Sequence, residues 1–140
     1  EATVTFTQAK YTDPSQAKTY TFTIDSSSFD SSSYANNNYE KTSTATATDG
    51  STMEVKWTSY QVYKKNGADS MQWQKNAGYI YNSTDLGTIT SVTVNTDSST
   101  FTTYIGTSEQ PSTNGEGGFF KVKAGSSTSY STSIVVTFQK

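Results

Sequence analysis

The chain has 140 residues, a formal charge of −2, no cysteine or histidine, and only lysine among its ten cations. These absences exclude disulfides, thiolate or imidazole catalysis and Cys/His zinc sites, which removes most hydrolase and transferase mechanisms. They also argue against nucleic-acid partners, for which arginine supplies the forked phosphate and guanine contacts, and no apolar run is long enough for a membrane-spanning helix.

Ser and Thr make up about a third of the residues, yet Tyr and Phe are frequent and sit inside β-branched runs. That combination predicts a folded all-β domain rather than disorder. One domain over residues 1–140 is expected, large enough for a two-layer core. Low charge, absence of cysteine and Ser/Thr/Asn/Tyr richness suit a secreted or surface-displayed bacterial module. The opening at Glu1, with no signal peptide in view, fits a mature or excised segment.

In chain order, Ala2 to Gln8 alternates Val4 and Phe6 with polar residues and predicts a strand. Asp13-Pro14 marks a turn. Lys18 to Asp25 predicts a second strand with Tyr20, Phe22 and Ile24 on one face. A polar stretch around Phe29 follows, then the loop YANNNY, Tyr34 to Tyr39. Thr42 to Thr48 offers only Ala on its inner face, as an edge strand would. Asp49-Gly50 is a strong turn signal. Met53, Val55 and Trp57 then share a face, and Tyr60 to Lys65 either continues that strand or turns helically, until Asn66-Gly67.

Ser70 to Gly87 reads as a β-hairpin turning at Asn76-Ala77-Gly78, with Gln72, Gln74, Tyr79 and Tyr81 opposite Met71, Trp73 and Ile80. In Thr88 to Asn95 the apolar positions fall out of phase, so a bulge is expected near Thr90-Ser91. Phe101 to Ile105, Phe119 to Lys123 and Ser133 to Phe138 complete the strands, with Gly106 to Gly118 as a long loop. The sum is an all-β sandwich, jelly-roll-like, of about nine short antiparallel strands.

MQWQKNAGYIYN, LGTITSVTV, FTTYIGTSEQP and FFKVKAGSSTSYSTSIVVTF follow one another in an order that resembles a jelly-roll module of secreted bacterial proteins. YANNNYEK followed by Asp49-Gly50 resembles its first half, and the likeness covers about residues 19 to 138. The architecture is similar to galactose-binding-like sandwiches. The composition resembles scaffold and accessory modules of gut Firmicutes that degrade starch and plant polysaccharides. The resemblance implies a non-catalytic, starch-binding or other carbohydrate-binding module within a larger multimodular protein. Modules of this shape also serve as spacers beside unrelated enzymes.

Sugar binding needs a ring against the C–H face of a pyranose and polar groups for its hydroxyls, worth about 4 to 8 kcal/mol for a single platform. In YANNNY, Tyr34, Asn37 and Tyr39 offer rings around amides; the alternative is a turn with Tyr34 packed beneath it. Tyr60 and Tyr63 with Lys64 form a second candidate, against a solvated lysine pair with packing tyrosines. Trp57 is expected in the core. Trp73 is either core or the platform flanked by Gln72, Gln74 and Lys75. If the ligand is a curved α-glucan, the set is Trp73 with Tyr60 or Tyr63, plus those amides and lysines.

The twelve carboxylates form no local acid–base pair, so no enzyme activity is expected. No cofactor is expected; a structural calcium at Asp25 and Asp30 has no Asp-rich loop to support it. Asn82-Ser83-Thr84 matches a glycosylation sequon that is idle in a bacterial protein.

Overall fold

The computed structural model describes residues 2–4, 18–29, 34–35, 39–65, 68–97 and 100–140, and only the backbone of residues 34–35, 60, 62–65 and 68–69. The described residues are all-β. The strands are β1 (Thr19–Asp25), β2 (Tyr34–Ala35), β3 (Lys41–Thr46), β4 (Thr52–Thr58), β5 (Tyr60–Lys65) and β6 (Ala68–Trp73). They continue with β7 (Tyr79–Asn82), β8 (Thr88–Asn95), β9 (Phe101–Gly106), β10 (Phe119–Ala124), β11 (Ser129–Ser131) and β12 (Ser133–Gln139). All pairings are antiparallel and give three sheets, in the orders β1-β12-β8, β3-β4-β7-β10-β9 and β11-β6-β5-β2.

The three-stranded and five-stranded sheets form the sandwich. Alternation on β12 (Ile134, Val136, Phe138) and β1 (Phe22, Ile24) fills one inner face. Met53, Val55 and Trp57 of β4, Ile80 of β7 and Phe120 and Val122 of β10 fill the other, and all belong to one buried cluster. Phe22 stacks on Phe138 at 5.2 Å. A bridge between Phe22 and Ala47 ties β1 to the segment leaving β3. The small inner residues expected of Thr42 to Thr48 thus serve an edge strand on which β1 closes.

The four-stranded sheet is built from strands that leave the sandwich. β4 runs into β5 through Ser59, at φ 53°, and β11 into β12 through Thr132. More than nine strands occur because Tyr60 to Lys65, instead of continuing β4, forms β5 in another sheet, and because the short strands β2 and β11 stand outside the expected strands. Trp57 and Trp73 flank the β4–β5 and β6–β7 crossings, and both are 1% exposed. Their indole N–H groups donate to Ser43 Oγ (2.9 Å) and Ser131 Oγ (3.1 Å). Burying an indole requires such a partner, and Ser on the neighbouring strand supplies it.

Two expectations are corrected. Ser70 to Gly87 is not a hairpin: β6 pairs with β5 and β11, whereas β7 pairs with β4 and β10. The turn after Trp73, closed by Gly78 N–H donating to Gln74 O (2.8 Å), carries the chain from one sheet to another. Both arms are apolar enough to be buried separately, so each finds other partners. Ala2 to Val4 has no regular structure, and the rest of that expected strand lies outside the described residues.

The expected bulge is found. Phe138 pairs with Ile89 and Thr137 with Ser91, leaving Thr90 as the extra residue. Its hydroxyl donates to Thr137 O (3.2 Å). The insertion returns Val92 and Val94 to the face of Ile89.

Asn82 fixes the register on which the outer face depends. It is fully buried. Its Oδ1 accepts from Phe120 N–H (2.7 Å), and its Nδ2 donates to Thr84 O (2.7 Å) and Gly118 O (2.9 Å). The sequon asparagine is therefore a structural clamp. Asn82→Asp keeps the acceptor for Phe120 but sets a carboxylate against two carbonyls. The expected loss is about 3 kcal/mol, from a buried group that lacks its donors. Urea denaturation at neutral pH measures it; a loss below about 0.5 kcal/mol contradicts the clamp.

Candidate functional site

The outer face of the five-stranded sheet carries the polar members of each alternation. Register sets Lys56 beside Tyr81, Tyr81 beside Lys121 and Lys121 beside Tyr104 in one row across four strands. The next row runs Thr58, Tyr79, Lys123, Thr102. Directly opposed side chains in a sheet touch, so each row is a continuous strip.

At the centre, the rings of Tyr79 and Tyr81 stack at 5.8 Å and 29°. Both phenols point at one carboxylate. Tyr79 OH donates to Glu40 Oε2 and Tyr81 OH to Glu40 Oε1, each at 2.8 Å. Lys121 Nζ lies 4.6 Å from the centre of the Tyr79 ring and donates to Gln110 Oε1 (3.1 Å). Glu40 is solvent-exposed, Tyr79 half-buried and Tyr81 only 2% exposed. Thr58 OH donates to the Tyr39 carbonyl (2.6 Å), which pins Tyr39 beside β4, and Tyr39 is 68% exposed.

The electrostatics follow from this packing. Burial, with the hydrogen bond to Glu40, pushes the Tyr79 phenol up to about 12 and raises Tyr81 as well. Burial and then the neighbouring Lys123 lower Lys121, which Glu40 partly offsets. Chemically, the face presents a carboxylate with two lone-pair positions still open and an ammonium with further donors. The half-buried Tyr79 phenol, whose oxygen can still accept, and the exposed Tyr39 complete it. Such a set matches adjacent hydroxyls on a flat, neutral molecule.

Of the sequence-derived candidates, Tyr39 is exposed and is held beside this face by its carbonyl, which accepts from Thr58. Trp73 is not at this face: its burial makes it core, so it is no stacking platform, because packing two sheets at the β6–β7 crossing needed its full area. Gln72 is half-buried on the four-stranded sheet with Nε2 3.4 Å from Tyr130 OH, and Gln74 and Lys75 are exposed in the turn after β6. The backbone pairs Tyr60 with Trp73, Tyr63 with Ser70 and Lys64 with Asp69, and Tyr34 with Gln61; these four side chains lie outside the described residues. Asn37 lies outside them altogether. The structure therefore does not gather Trp73, Gln72, Gln74 and Lys75 into one surface.

Sequence reasoning missed Glu40, Lys121 and Gln110. Alternation in FFKVKA does turn Lys121 outward, but only the β7–β10 pairing reveals what it meets. Asp25 caps a 3₁₀ turn at Ser26–Ser28 through Ser27, and Asp30 lies outside the described residues. Among the described residues no cluster of three or more Asp or Glu suits a metal ion.

Alkaline titration tests the phenol–carboxylate geometry. The folded value of Tyr79 is raised, so its contribution to stability is intact below pH 10 and is lost as pH rises toward about 12. The tyrosinate absorbance difference between wild type and Tyr79→Phe is expected to develop near pH 12; a midpoint near 10 contradicts the contact. Compared with known proteins, the chain matches no family model, no curated protein and no solved structure.

Proposed function

We propose that the chain is a non-catalytic carbohydrate-binding module, secreted or displayed at the cell surface within a larger protein. It holds a neutral polysaccharide on the outer face of the five-stranded sheet. One observation carries this reading: two stacked tyrosines converge on Glu40, with Lys121 over one ring and Tyr39 exposed alongside. Glu40 accepts from a pair of sugar hydroxyls, Lys121 donates to their neighbours, and Tyr39 covers the C–H face of the ring.

The face is suited to holding rather than cutting. Glycosidic cleavage needs two carboxyl groups flanking the bond, one of them able to give up a proton. Here Glu40 is engaged by two phenols, and Glu54, on the same face, accepts from Ser83 Oγ (2.8 Å). Starch-like α-glucan is the first ligand to test, on the sequence resemblance, and β-linked plant glycans are the second. The burial of both indoles favours the rival reading of a spacer, which needs no exposed ring.

Native affinity electrophoresis separates the readings. Retardation is expected in gels containing amylopectin or a soluble β-glucan. Tyr39→Ala is expected to weaken it about tenfold, ~1.4 kcal/mol, without shifting Tm, whereas Gln74→Ala leaves it unchanged. Free migration of the wild type in every polysaccharide supports the spacer and overturns the binding module.

A further inference from the structure

The twelve-residue connection from β9 to β10, Thr107–Gly118, is long for a link between adjacent antiparallel strands. Loops of this length without regular structure are usually functional. This one is tightly held. Gly115 N–H donates to Ile105 O (2.8 Å), Ile89 N–H to Gly117 O (2.9 Å) and Leu86 N–H to Gly118 O (3.1 Å). Gly117, at φ 152°, lies so close to the Gly106 carbonyl that any side chain there would collide with it. Gly106 in turn meets Pro111, whose Cβ would stand 2.8 Å from an added Cβ.

Between this loop and the end of β9 lies a cleft of about 280 Å³. Ile105 and Pro111 give it an apolar floor. Ser108, Ser112 and Thr113 line it with hydroxyls, Gln110 with an amide and Glu116 with a carboxylate. No lysine lines it, and Glu116 is its one charged lining residue, which disfavours an anionic ligand. Its volume lies at the lower edge of small-molecule sites, of order 300 Å³, which suits one sugar ring rather than several. Gln110 sits at φ 55°, a conformation that a non-glycine residue adopts at a cost, and its Oε1 accepts from Lys121 Nζ. Gln110 thus borders both the cleft and the tyrosine face.

We propose that the cleft is a second subsite that takes one neutral pyranose unit, continuous through Gln110 and Lys121 with the tyrosine face. The subsite rests on the carbohydrate-binding reading and adds to it a preformed socket next to an open platform. A chain that lies on the tyrosine face places one of its units in the socket, so affinity rises with chain length until both are filled.

Calorimetric titration with maltose and maltohexaose, and with cellobiose and cellohexaose, tests this and identifies the linkage. Ser112→Trp fills the cleft from an exposed position, and Gln110→Gly removes the amide while relieving the backbone. Each is expected to lower affinity for the bound hexasaccharide about tenfold, with an unchanged melting curve for Gln110→Gly. Wild-type binding that both variants preserve within about twofold, while Tyr39→Ala weakens it, overturns the subsite and leaves the tyrosine face standing. A wild type that binds neither hexasaccharide overturns both.

Discussion

The buried amide of Asn82 is the constraint on which the outer face depends. Two of its three hydrogen bonds join the end of β7 to the segment entering β10, where a shift of one residue would reverse every side chain, and the third holds Thr84 just after β7. With that register fixed, Tyr81 stands beside Lys121 and Tyr79 beside Lys123, and both phenols reach Glu40. The same clamp holds Gly118 and so anchors one end of the loop that forms the cleft. Only an amide fits, since the site asks for one acceptor and two donors on a single short side chain.

The sandwich provides the rigidity behind this arrangement. Its apolar content is modest, and the chain compensates by placing its two indoles at the crossings between sheets, each N–H satisfied by a serine. Phe29 packs edge-on against Trp57 at 5.1 Å and closes that corner. The proposed platform is tyrosine rather than tryptophan because both tryptophans are buried in the fold. Tyrosine can still serve, since it brings apolar area with a polar tip and its hydroxyl can be locked by a neighbouring carboxylate.

Much of the fold was legible in local patterns. Alternation gave most strands, Asp49-Gly50 gave the turn, and the phase slip in TITSVTVN located the bulge at Thr90. The small inner residues of TSTATAT marked an edge. What local pattern cannot carry is the identity of partners: β6 and β7 alternate as hairpin arms would, yet belong to different sheets. The site inherited that gap. Tyr39 was visible as one of two rings around the asparagines, but Glu40 and Lys121 are 81 residues apart and meet through strand pairing alone. The sequence leaves Trp73 open between core and platform because flanking glutamines look the same beside a core indole as beside an exposed one.

The most direct measurement is a ¹H–¹⁵N correlation spectrum of the protein titrated with soluble oligosaccharides. The account predicts shifts at the amides of Tyr39, Glu40, Tyr79, Tyr81 and Lys121, with both indole N–H peaks unmoved. Movement of the Trp73 indole peak, or shifts centred on Gln72 and Gln74 of the four-stranded sheet and its following turn, would contradict it.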